Sequence, residues 1–161
     1  MKTHSLEETR RIGARCAREI IKEGSPKKSL VLALRGNLGS GKTSFVQAFL
    51  KKLGVRQRIT SPTFVLLKKY TLVKPYRYAF HIDCYRIQSK KEFKELGLQE
   101  IFKESKNVAV IEWPERIKKI LPKHTIWLTF AHGGKENERI IKIQENIKKQ
   151  KIKKVKKNKK N

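Results

Sequence analysis

Gly36-Asn37-Leu38-Gly39-Ser40-Gly41-Lys42-Thr43 has the spacing G-x-x-x-x-G-K-[ST], a pattern suited to holding phosphate. Its glycines let backbone N–H groups converge on phosphate oxygens where a Cβ would obstruct. A helix opening near Gly41 adds the positive end of its dipole. Lys42 then reaches the β- and γ-phosphates, and the Thr43 hydroxyl is a ligand for Mg²⁺. The candidate binding stretch runs from Gly36 to Ser44. A bland Gly-rich turn between strand and helix has no need of the Lys-Thr pair.

Hydrolysis needs more than phosphate binding: a carboxylate near the metal and a group that orients water. Asp83 and Glu112 each end an apolar run, Tyr78 to Ile82 and Val108 to Ile111. In open α/β sheets the ligand lies beyond the carboxyl ends of the strands, which makes strand-end carboxylates candidates. Asp83 is the only aspartate among 14 acidic residues. Plain readings compete: Glu112 as the N-cap of the next helix, Asp83 as a turn residue. Thr60-Ser61-Pro62-Thr63 falls between the loop's helix and the next strand, the slot of GTPase switch segments, or forms an ordinary Pro turn.

These residues need elements to hold them. Ser5-Leu6-Glu7-Glu8 reads as a capping box opening a helix whose inner face is Leu6, Gly13, Cys16, Ala17 and Ile20. Residues 29–35 are nearly all apolar, as in a strand buried on both faces. The helix after the loop turns Phe45, Phe49, Leu50 and Leu53 inward. Strands are expected at 63–72, 76–83 and 107–112, and helix at 91–104, broken by Gly97. Pro114 begins a short helix to Ile120, and strands 124–131 and 138–144 form a hairpin about Gly133-Gly134.

A chain of 161 residues with 38% apolar content fits one domain. No apolar run spans a bilayer, and Cys16 and Cys84 lack a CxxC partner, so a reducing cytoplasm is expected. The net charge is +26; the last fourteen residues carry nine lysines and no acid, so the rest still holds +17. Such a field attracts nucleic acid, nucleotides or acidic proteins, or is a solvated Lys-rich surface. The expected division is a domain over 1–146 and a disordered Lys-rich tail over 147–161.

The set GNLGSGKT, ITSPTF, FHIDCYR, ELGLQEIF and VIEWPER, in this order, resembles the TsaE (YjeE) family of small bacterial P-loop ATPases, from about Leu6 to Ile143. The resemblance implies an α/β, P-loop NTPase-like mixed sheet flanked by helices in a single domain. It implies ATP and Mg²⁺ as cofactors, TsaB and TsaD as partners, and a part in threonylcarbamoyladenosine modification of tRNA beside the anticodon, with tRNA met through that complex. It places phosphate and Mg²⁺ on Lys42 and Thr43, and assigns metal and attacking water to Asp83 and Glu112. Thr60 to Thr63 become a switch-like loop, Trp113 a neighbour of the nucleotide, and Thr9 and Gly133 neighbours of adenosine. The family usually has Asp where Asn37 stands, which removes a charge near the phosphates.

Two other classes stay open on the residues alone. A small kinase would need an acceptor pocket and an Arg-rich lid, and no such insert is present. An RNA-binding module with a vestigial loop is opposed by the intact Lys42-Thr43 pair. No clear arginine finger appears, although Arg86 beside Asp83 is a candidate in cis.

Overall fold

A computed structural model describes residues 1–87 and 90–145; the Lys-rich tail lies outside them. The elements are β1 (Lys2–Thr3), α1 (Leu6–Lys22), β2 (Leu30–Arg35), α2 (Lys42–Lys52), β3 (Leu67–Thr71), β4 (Tyr78–Asp83), α3 (Lys90–Glu95), α4 (Leu98–Lys103), β5 (Asn107–Glu112), a 3-10 helix (Pro114–Ile120), β6 (Ile126–His132) and β7 (Arg139–Glu145). They build one seven-stranded sheet in the order β1-β7-β6-β2-β5-β4-β3. The four inner strands β6, β2, β5 and β4 are parallel; β3, β7 and β1 pair antiparallel at the flanks. This is the mixed α/β architecture anticipated for a phosphate-binding loop, with β2, which feeds the loop, in the middle.

Strand periodicity sorts side chains between two faces. Leu32, Leu34, Val108, Val110, Leu128 and Phe130 point to the side covered by α1 and α2. Val31, Phe80, Ile82, Ala109 and Ile111 point to the other, under α4 and the 3-10 helix. The two helices of the first face lie close because Gly13 has no side chain: a Cβ there would sit 2.5 Å from the Phe45 carbonyl oxygen. Phe45 stacks on Phe49 at 5.9 Å and meets Phe130 edge-on at 5.5 Å, aromatic geometries that add to simple burial.

Three local expectations change. Leu6, the first residue of α1, is 47% exposed; the buried stripe begins one turn later at Thr9 and includes Ile12. The strand expected over 63–72 starts only at Leu67. Residues 63–66 form a turn in which the Val65 and Leu66 N–H groups donate to Pro62 O, with Leu66 at φ 62°. Strand β1 is an addition, pairing Lys2 and Thr3 with the start of β7.

Candidate nucleotide site

The same period-two rule that builds the core builds the site. Ala79, His81 and Asp83 share one face of β4, and Val108, Val110 and Glu112 share that face of β5. It is the face under α2. Asp83 and Glu112 are register partners at the ends of neighbouring parallel strands, and Glu112 also pairs with Leu34, two residues before the loop. Both carboxylates are buried. The Thr43 hydroxyl, at the N-terminus of α2, donates to Glu112 at 3.3 Å.

The loop leaves β2 through Gly36 and enters α2 from Gly41, whose φ of 96° is left-handed and suits glycine. The Lys42 ammonium donates to Gly36 O at 2.6 Å and Asn37 O at 3.0 Å, curling the loop round itself. Asn37 therefore acts through its carbonyl while its side chain is exposed, so the exchange of Asp for Asn leaves this contact in place. Burial lowers the Lys42 pKa from its ordinary value, and Glu112, Asp83 and Glu115 oppose that shift. Ser40 is fully buried in the loop with an unpartnered hydroxyl.

The remaining candidates gather round this centre. Trp113 has φ 57°, a left-handed conformation rare for a bulky residue, and its ring centroid lies 4.8 Å from Lys42 Nζ. Pro114 disfavours the right-handed helical region for Trp113 and begins the 3-10 helix. No side chain caps that helix, so the capping role for Glu112 fails. Asp83 does make a turn contact, accepting from Tyr85 N–H at 2.9 Å. Its other oxygen accepts from Thr63 at 2.6 Å, which ties the 60–63 loop to the strand end. Ser61 lies 2.6 Å from the Thr63 hydroxyl, and Pro62 O anchors the following turn. Lys68 donates to Thr60 Oγ1 and to Ser61 O.

Thr9 is fully buried, with its methyl 3.4 Å from where a Cβ on Gly41 would lie, and supports the loop from below. Gly133 lies in the β6–β7 turn, packed on Glu138. That turn reaches the loop through His132, 3.2 Å from Leu38 O, and Arg139, which donates to Gly39 O at 3.1 Å. Leu38 and Gly39 are exposed, and Ser44 is half-buried in the first turn of α2. Arg86 lies over the ring of Phe64, the residue after the 60–63 loop, at 4.6 Å.

Sequence reasoning did not single out His81. It is fully buried, and its Nε2 lies 2.8 Å from Glu112 Oε1, fixing that carboxylate beside Thr43. The only available signal was its spacing of two from Asp83, which puts both on one face of a strand. Lys68 and Arg139 were missed too: Lys68 reaches back to Thr60 and Ser61 only because a turn replaces the expected strand, and Arg139 meets Gly39 a hundred residues away.

An Mg²⁺ nucleotide fits this donor set. Magnesium commonly takes one or two carboxylates plus phosphate oxygens and water. Among the described residues no cluster of three or more His, Cys, Asp or Glu forms a metal cage. What stands here is a hydroxyl, two carboxylates, a buried ammonium and the orphaned Ser40 hydroxyl.

Fold and loop together define a P-loop NTPase-like α/β protein. The family model described as "Threonylcarbamoyl adenosine biosynthesis protein TsaE" matches residues 3–141. The tRNA threonylcarbamoyladenosine biosynthesis protein TsaE of Treponema pallidum is 37% identical over 141 residues, 83% of this chain and 94% of that protein. Its Bacillus subtilis namesake is 35% identical over 111 residues, 68% of this chain and 66% of the relative. A crystal structure of Bacillus subtilis YdiB superposes with a TM-score of 0.71 at 29% identity, covering 91% of this chain and 84% of that one. The chain belongs to the TsaE family, whose role is in threonylcarbamoyladenosine biosynthesis. Among the described residues no helix is long and apolar enough to cross a membrane.

Proposed function

We propose that this chain binds ATP with Mg²⁺ at the Gly36–Ser44 loop, hydrolyses it to ADP and phosphate, and thereby supports TsaB and TsaD in modifying tRNA beside the anticodon, in the cytoplasm. The observation that carries this reading is the contact between Thr43 and Glu112, with Asp83 alongside in register. Thr43 and Glu112 would hold the metal, and Asp83 would join them or orient water. Bound Mg²⁺ would neutralise charge developing on the phosphate oxygens.

The chain's own groups do the rest. Lys42 exchanges two loop carbonyls for phosphate oxygens, a stronger charge-assisted pairing. His81 keeps the Glu112 carboxylate in one orientation. Trp113 gives the site an apolar wall next to Lys42. Thr63, tied to Asp83, gives the 60–63 loop a direct connection to the reacting end of the nucleotide. Thr9 and Gly133 flank the side where the family resemblance puts adenosine.

Hydrolysis by the isolated chain should be slow. Arg86 is engaged with Phe64, and charge completion from a partner is the known remedy in related nucleotide hydrolases. The test is phosphate release by the chain alone and with TsaB–TsaD. Stimulation by the partners is expected; full activity alone, unchanged by them, refutes the reading.

A further inference from the structure

The end of the sheet opposite the phosphate loop carries an unassigned surface. An open cleft of about 910 Å³ lies where β4 and β5 begin, beyond the end of α1. Lys74, Arg77 and Lys106 line it, all exposed, and no acidic residue does. Among the described residues none of these three cations is held in an ion pair. A second cleft of about 440 Å³ adjoins the first across Gly24, Ser25, Pro26 and Tyr76, which line both. It adds Lys27 and Lys28, with Glu23 the one acidic lining residue.

Cations here alternate with an aromatic. The half-buried Tyr78, which lines the first cleft, carries Lys69 over its ring at 3.8 Å and Arg77 at 5.2 Å. Unpaired cations along an open groove fit a sugar–phosphate backbone. A phosphate backbone presents one charge per nucleotide along the whole groove, which a peptide does only where its acids run together. The six residues of β4 put this groove roughly 17 Å from Asp83, too far to belong to the nucleotide site.

We propose that this groove binds RNA, gripping the backbone of tRNA directly and without base selectivity. This goes beyond the ATPase reading and does not depend on it. Contacts of this kind position the nucleic acid and carry no sequence information.

The test uses the full chain and an unmodified tRNA transcript, with affinity measured by fluorescence anisotropy from about 50 to 200 mM salt. The variant is Lys74→Ala with Arg77→Ala and Lys106→Ala. The comparison is Lys118→Ala with Lys119→Ala and Lys123→Ala, the same loss of charge on another face. All six side chains are exposed, so both variants should fold, and nucleotide-dependent thermal shifts should match wild type.

Each lost phosphate contact should flatten the slope of log K against log salt by roughly 0.7–0.9, so the groove variant should lose roughly 2.1–2.7 and bind at least about tenfold more weakly. The comparison variant should lose much less. Unchanged affinity and slope, or equal losses in both variants, would overturn the proposal. Retained tRNA binding with loss of TsaB–TsaD capture would overturn it as well, by making the groove a protein surface.

Discussion

Replacing Glu112 with Gln separates chemistry from architecture, because the amide keeps the shape and removes the charge. Asp83 and Glu112 are buried register partners on neighbouring strands. Strand spacing of about 4.8 Å sets the scale of their separation, and two unit charges about 5 Å apart at an effective dielectric of about 20 repel by about 3 kcal/mol. Glu112→Gln removes that repulsion. It also weakens two hydrogen bonds, from His81 and Thr43, by about 1 kcal/mol each, and forfeits part of the attraction to Lys42. The balance lies near zero, so Tm by calorimetry should stay within about 4 °C of wild type. Phosphate release with TsaB–TsaD should instead fall by about a hundredfold or more, as for a lost transition-state electrostatic contact. A Tm drop well beyond 4 °C together with surviving hydrolysis would show that Glu112 is structural.

Lys42→Ala should abolish the rise in Tm that ATP–Mg²⁺ gives the wild type, since a ligand stabilises only the state it binds; a full thermal shift in the variant would contradict the site. Gly13→Ala places a methyl 2.5 Å from Phe45 O and should cost about 1–3 kcal/mol in urea unfolding, with an unchanged midpoint counting against the tight α1–α2 contact. Glu138 is ion-paired with Lys2 at 2.9 Å and faces His4, and its pKa is lowered from its ordinary 4.5, chiefly by the Lys2 hydrogen bond. Its stabilisation is therefore present above about pH 4.5 and is lost as pH falls through the lower folded value. The Tm advantage of wild type over Glu138→Gln should shrink along that descent; an advantage that grows on acidification would refute the pairing.

Legibility from sequence followed the range of the interactions. The loop Gly36–Thr43 could be read because its chemistry is contiguous, and β2 and β5 because strands buried on both faces are apolar throughout. The break at Gly97 follows from one residue's backbone, at φ 61°. By contrast, β1 is two residues long and exists only because β7 offers it an edge. The turn at 63–66 displaces an expected strand because Thr63 is captured by Asp83, twenty residues on. A histidine inside an apolar strand reads as core until the register of β4 against β5 is known, and that register brings His81 to Glu112.

The order of the strands also governs how copies of this chain meet. An open sheet ends in two ribbons of unpaired backbone groups, each a template for another chain. At one end the two residues of β1 pair with only Ile140 and Arg139 of β7. The other is β3, where Lys68 and Lys69 stand side by side and project to opposite faces. A second molecule adding its own β3 would bring like charges together on both faces, with Lys69 pulled from the Tyr78 ring. The β3 edge thus resists edge-to-edge pairing through the residues that end it.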